Sequence, residues 1–365
     1  MTAAPDSMLG TTLGAPIINL QSGGRAAPAP RPTGKDSMTR NKTKQAALAA
    51  AALGGGGLAA RSARLLWRRR DLNWSAPERF VRDAYLSVQT MGSGDQPVLL
   101  LHSLEGSSSY FGSAFDELAD PGPLLVPDLL GFGRSPASPG GYSADDHVAA
   151  LLAMLEELGT SQALLVVGHG LGGLIGLRLA SLHPARVRAL VMIGPPLYSD
   201  PESARRWLGR AASGRRLDRA VSRRLPGRDS RFGRASRLLA GPLRPDLPGP
   251  VAQDRVDALA ADAHRATLEE SVLSAQGVSW LQGVRCPVEL VVPAHDGTLD
   301  LELLRNLARG QSNLVLSELM FGDSRLPLTN PDGCLAAIDR FREGISGDHR
   351  SGDGPRLREG PLQVS

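Results

Sequence analysis

The chain has 365 residues, 42% of them hydrophobic and 21% charged, enough apolar sequence for a sizeable globular core. The formal charge is +4, and an aromatic content of 4% without interleaving or a recognised binding motif counts against a nucleic-acid surface. Its two cysteines, Cys286 and Cys334, are too few for a disulfide scaffold; both read as buried thiols and fit a reducing cytoplasm.

Residues 1–73 are low in complexity, built from Gly, Ala, Pro and Ser, and bury too little surface to offset their ordering entropy. Within them, residues 45–60 are alanine-rich, with four successive glycines at 54–57, and follow Arg40, Lys42 and Lys44. Met38 offers a second start close to that run. A flexible arm, a weak membrane anchor and an export signal are the three readings. The glycines and the lack of a small-x-small cleavage site count against the last two, and nothing has the length of a standard transmembrane span. In residues 63–72, Leu65, Leu66 and Trp67 adjoin Arg68, Arg69 and Arg70. That mix suits either an interfacial helix on an anionic membrane surface or a solvated basic segment docking one tryptophan.

From Arg79 the pattern changes. Residues 84–90 alternate like a strand, and apolar runs follow at 97–101, 124–126, 163–167, 189–193, 288–292 and 314–316. Helical patterns at 143–158, 171–182, 301–308 and 331–341 separate them. This alternation predicts an α/β fold, a doubly wound and mostly parallel sheet covered on both faces. Residues 78–194 and 285–344 form its core. The interval 195–284 contains no convincing strand and reads as a helical lid over the sheet's carboxyl edge. From Arg205 to Arg244 it carries thirteen arginines against only Asp218 and Asp229, which describes either scattered exposed arginines or attraction for an anionic partner. Residues 345–365 are polar and expected to be disordered.

Five motifs in order carry a resemblance. Leu99-Leu100-Leu101-His102-Ser103 is similar to the strand that enters an oxyanion loop, usually His-Gly. Residues 127–135, Pro-Asp-Leu-Leu-Gly-Phe-Gly-Arg-Ser, are similar to an Asp-x-x-Gly-x-Gly-x-Ser turn. Gly168-His169-Gly170-Leu171-Gly172-Gly173 resembles a nucleophile elbow, normally Gly-x-Ser-x-Gly. Residues 286–297 resemble the strand leading to a catalytic acid, and 321–331 the loop that carries a histidine. Together they resemble the α/β-hydrolase family, in its lidded branch of esterases and epoxide hydrolases, over roughly residues 78–343.

The resemblance implies a Ser–acid–His triad, and two members are missing. Gly170 stands at the nucleophile position and offers no attacking atom. Register places Ser324 at the base position, and no histidine occurs anywhere in 296–348; His349 lies in the expected tail. The acid falls at Gly297, with Asp296 beside it and Asp200 as an alternative. Without nucleophile and base the ordinary mechanism is not available. His102, Ser103, Leu104, Glu105, His169, Leu171, His295 and Asp296 are the pocket candidates, and Asp128 is read as a turn-stabilising carboxylate. Ser103 replaces the usual glycine and is expected to narrow the oxyanion loop. No cofactor, metal or nucleic acid is expected. Three functions follow: a non-catalytic relative that keeps its pocket for a small apolar or anionic ligand or as an interaction module; an enzyme using another set, such as His102, Glu105 and Asp296; or a peripheral membrane scaffold. Cytoplasmic location is expected, with membrane association as the alternative.

Overall fold

In the computed structural model the described residues are 72, 74–213, 244 and 246–348, all within the unit Ala46–Ser365. The low-complexity run at 45–60, the basic segment up to Asp71, most of the arginine-rich stretch (214–243) and the tail from His349 lie outside them.

Eight strands form one sheet: β1 (Phe80–Asp83), β2 (Ser87–Met91), β3 (Val98–Leu101), β4 (Leu124–Pro127), β5 (Leu164–His169), β6 (Val187–Ile193), β7 (Val288–Pro293) and β8 (Leu314–Leu319). Their order is β1-β2-β4-β3-β5-β6-β7-β8. β2 is antiparallel to both β1 and β4, whereas β4-β3-β5-β6-β7-β8 is parallel throughout. The parallel part is buried on both faces, which is why its strands read as unbroken apolar runs. Leu99, Leu101, Val166 and Leu290 face one cluster, and Val98, Leu100, Val167 and Val291 face the other.

The helices are α1 (Ala144–Glu157), α2 (Leu171–Leu182), α3 (Pro201–Ser213), α4 (Gly249–Ala260), α5 (Asp262–Thr267), α6 (Gly277–Gly283), α7 (Leu301–Gly310), α8 (Leu326–Thr329) and α9 (Pro331–Asp348). α1 begins at a capping box: the Ser143 hydroxyl accepts from Asp146 N–H, and the Asp146 carboxylate accepts from Ser143 N–H at 2.9 Å. Ser143→Ala is therefore expected to cost about 1 kcal/mol in a urea melt. α9 presents Cys334, Ala337, Ile338 and Phe341 to the second cluster, a helical stripe. Among the described residues of 194–284 there are helices and turns and no strand, and no described helix is long and apolar enough to cross a membrane.

Three boundaries differ from expectation. The strand expected over 84–90 begins only at Ser87, and β1 precedes it. All four β1 residues are exposed, so β1 carries no alternating apolar signal. α9 continues to Asp348, past Phe341 and past the tail expected from 345. A helix already anchored in the core extends at one hydrogen bond per residue, and Arg342 holds this stretch by pairing with Asp339 at 3.6 Å and donating to the Asp120 carbonyl. The folded chain also begins before residue 78, because Leu72 and Trp74 already pack against buried side chains.

Candidate functional site

β5 ends at His169 and α2 begins at Leu171, so Gly170 alone makes the turn. It sits at φ 54°, ψ −114°, a region that L side chains rarely adopt and glycine enters without strain. Its N–H donates to the Ile193 carbonyl at 2.9 Å, and its carbonyl accepts from Leu174 N–H at 3.3 Å. The turn is tight because α2 passes close to β3: a Cβ on Gly172 would collide with the Leu101 carbonyl. The backbone thus makes a tight strand-to-helix turn with a hydrogen atom in place of a side chain at 170.

The neighbouring loop fills that space. Ser103 Oγ lies 2.7 Å from the position a Cβ on Gly170 would occupy. His102, fully buried at the end of β3, cannot serve as a base there. Leu129 N–H donates to its Nε2 at 2.9 Å, which leaves the proton on Nδ1 to be donated to the Ser103 carbonyl at 2.8 Å. Burial holds its pKa below the usual histidine range. Glu105 is committed as well, in an ion pair with Arg255 of α4. Among the described residues Leu104 N–H, next to Ser103, and Leu171 N–H, next to Gly170 at the positive end of α2, meet no backbone acceptor.

In the loop between β8 and α8 the Ser324 carbonyl accepts from His169 Nε2 at 2.9 Å. His169 stacks on Tyr110, ring centroids 5.0 Å apart. With the proton on Nε2, its Nδ1 holds a lone pair that is buried and meets no partner among the described residues. Burial pushes the His169 pKa down to about 4, so the ring is neutral at pH 7. The two carboxylates considered for the acid both cap turns. Asp296 accepts from Thr298 N–H and Oγ1, each at 2.5 Å, and from Leu299 N–H. Asp200 accepts from Ser203 N–H at 2.8 Å at the start of α3. A Cβ on Gly297 would meet nothing within 4 Å, and His295 is exposed. Asp128 binds Ser108 N–H at 2.7 Å and Arg134 N–H at 2.8 Å, which fixes the turn beneath the oxyanion loop.

A family model for the alpha/beta hydrolase fold matches residues 96–242. The sheet order, the elbow and that match agree. The chain has the α/β-hydrolase fold. It is similar to "Putative carbamate hydrolase RutD" of Pseudomonas savastanoi pv. phaseolicola, 41% identical over 113 residues, 30% of this chain and 43% of that protein. It is 37% identical over 122 residues, 33% of this chain, to "Lipase LipV" of Mycobacterium tuberculosis, of which it covers 45%. The chain thus spans less than half the length of these curated relatives. Among solved structures it is similar to E-2-(acetamidomethylene)succinate hydrolase, with a TM-score of 0.57 at 22% identity, covering 73% of this chain and all of that one.

On this α/β-hydrolase scaffold His102, Ser103, Leu104, His169, Gly170, Leu171 and the Ser324 backbone frame one site. Asp296, Gly297 and His295 follow the end of β7 in a separate turn. Several residues around the site carry no sequence signal. Tyr110 covers His169. Asp254 of α4 accepts from Ser107 Oγ at 2.6 Å and from Ser109 Oγ. Asp246 pairs with Arg325 at 3.1 Å and Arg244 at 2.9 Å, and Arg325 also pairs with Asp323 at 2.7 Å. His264 of α5 has a pKa lowered by burial, with Nε2 buried and unpartnered among the described residues. The pairings of Asp254 with Ser107 and Ser109 span 147 and 145 positions and that of Asp246 with Arg325 spans 79, so no local motif could expose them. The inserted helix α4 and the turn before it are thereby tied to two of the loops that frame Gly170.

Proposed function

We propose that this protein is a non-catalytic member of the α/β-hydrolase fold that keeps its elbow pocket to bind a small ligand carrying a hydrogen-bond-accepting oxygen. The carrying observation is Gly170: the turn has elbow geometry and no side chain. The surroundings support it, since His102 has both ring nitrogens engaged, the position-324 loop supplies a carbonyl rather than an imidazole, and Asp296 and Asp200 serve as caps. Leu104 N–H, Leu171 N–H and the Ser103 hydroxyl are the donors such a ligand would meet. The relatives' names mention carbamate hydrolysis and lipase activity; this reading keeps their fold without the residues for either chemistry.

In a related triad, removing the serine alone lowers turnover about two million-fold. A fluorophosphonate probe is therefore expected to leave the protein unlabelled, and short and long acyl esters to hydrolyse at the buffer rate. A covalent adduct at the 168–173 turn, or turnover typical of esterases, would defeat the proposal. One observation favours a second reading. The Ser103 hydroxyl occupies the nucleophile's space, and Leu104 N–H and Leu171 N–H meet no backbone acceptor among the described residues, so a fluorophosphonate adduct mapped to Ser103 would make it a displaced nucleophile. Association with an anionic membrane surface, and thus a scaffold role, rests on sequence outside the described residues.

A further inference from the structure

Several arginines of this protein are held in one recurring way. Arg178 grips Asp145 with Nε at 2.6 Å and Nη2 at 3.0 Å, one carboxylate oxygen to each. Arg305 holds Glu318 likewise at 2.7 and 2.8 Å, and Arg244 holds Asp246 at 2.9 Å through both atoms. The Nε–H and Nη2–H bonds point the same way and make a fork that matches two oxygens of a carboxylate or phosphate. Arg188 departs from this pattern. Its Nε and Nη2 are both buried and meet no partner among the described residues.

The sheet itself puts Arg188 in this position. Val187 of β6 lies opposite Leu164 of β5 and Ala189 opposite Leu165, so Arg188 is the extra residue of a bulge. Val187 therefore faces the first apolar cluster and Ala189 the second, with Arg188 turned between them. Burial lowers its pKa, and the like charge of Arg342 on α9 lowers it further. No carboxylate among the described residues pairs with it. Arg342 is fixed by Asp339 at 3.6 Å and by donating to the Asp120 carbonyl at 2.9 Å. Two positive groups thus stand together, and one has both prongs of its fork unused. A charged N–H buried without an acceptor is costly, and an oxygen from outside the chain would remove that cost. Arg188 is partly exposed, so a small anion reaches it from solvent with a turn of its terminal torsions.

We propose that Arg188 and Arg342 form an oxyanion site at the N-terminal end of β6, taking a carboxylate or phosphate group across the Arg188 fork. The site is separate from the elbow. β5 and β6 run parallel, and Gly170 follows the far end of β5, about 17 Å along the strand from Leu165. It therefore stands whether the elbow binds a ligand or turns one over.

The test is a thermal melt of the full chain in chloride buffer of constant ionic strength, titrated with inorganic phosphate and, in parallel, with acetate. The midpoint is expected to rise saturably, by about 2 °C or more with the preferred anion. Whichever anion saturates at the lower concentration tells phosphate from carboxylate. Arg188→Gln should lose the shift. Arg188→Lys should need at least about tenfold more anion, because an ammonium keeps the charge and not the fork. Arg342→Gln should also raise the half-saturating concentration, whereas Arg305→Gln, at an arginine whose fork already holds Glu318, should match the parent. If Arg188→Gln does not fold, Arg188→Lys and Arg342→Gln carry the comparison. A parent melt that responds saturably to neither anion overturns the proposal. So does an equal response in the Arg188 variants, which would mark a general salt effect or an adventitious ion only.

Discussion

Gly170→Ser by itself is expected to leave ester hydrolysis at the buffer rate. Two structural reasons support this. A Cβ at that position meets Ser103 Oγ at 2.7 Å, and no imidazole stands in the 324 loop to accept the new hydroxyl's proton. The substitution also places a side chain at φ 54°, so the protein should lose about 1–3 kcal/mol in a denaturant melt. Activity should return stepwise as the frame is refilled. Ser103→Gly clears the space, Gly170→Ser supplies the nucleophile and Ser324→His supplies the base. In a dismantled triad the acid alone is worth about 3 × 10⁴ of a total of about 2 × 10⁶. The triple variant should therefore gain at most about a hundredfold on p-nitrophenyl acetate. Adding Gly297→Asp, where a Cβ meets open space, should raise it further by orders of magnitude. Robust turnover from Gly170→Ser alone would show that another group already acts as base, and His169 Nδ1 would be the first to examine.

Stability is expected to peak near pH 6.5, and Glu289→Gln should remove its decline on the alkaline side. Glu289 lies within β7 at 3% exposure, with Oε1 accepting from Ser317 Oγ at 2.6 Å and Oε2 without a partner among the described residues. Burial drives its pKa up from 4.5 to about 7, against smaller opposing effects of Ser317 and Arg340. The folded state therefore holds a proton that the unfolded state releases between pH 4.5 and 7. Stability from this residue is complete below 4.5 and falls as pH rises, by about 3 kcal/mol in all. His147 and His169 act in the opposite sense. Burial lowers each from 6.5 to about 4, so their contribution is complete above 6.5 and is lost as pH falls toward 4, about 3 kcal/mol each. Together with His102 and His264, which burial also lowers, they outweigh one carboxyl between 4.5 and 6.5, where stability rises with pH; of these groups Glu289 alone still titrates above 6.5, and stability declines. Glu289→Gln should match the parent at pH 4.5 and exceed it by about 3 kcal/mol at pH 8, measured by urea unfolding at each pH. Parallel pH profiles for the two proteins would contradict the argument.

Glu289 also shows where sequence reading stops. It sits inside an apolar run that reads simply as a buried strand, and nothing near it in sequence announces that its carboxyl would be left half-satisfied. Ser317, its partner, is on the next strand. β1 was illegible for the opposite reason: an edge strand exposed on both faces has no apolar period to detect. The ends of α9 and of the N-terminal arm were misplaced because polar composition suggested loss of structure, whereas Arg342, Arg79 and Trp74 find partners far along the chain.

The sequence by itself determined the parallel α/β core, the glycine at the 170 turn and the absence of any histidine from 296–348. Those features depend on period, on glycine sterics and on the presence or absence of particular atoms, all of which act over a few neighbouring residues. Only the tertiary structure decided that Ser103 fills the space at Gly170, that His102 has no lone pair to spare, that Asp296 closes a turn and that Trp74 and Asp246 fasten the insert. Each of those outcomes is a choice of partner made across the closed core, where burial forces every polar group to be paired or neutral; which partner lies within reach is set by the packing of the whole chain.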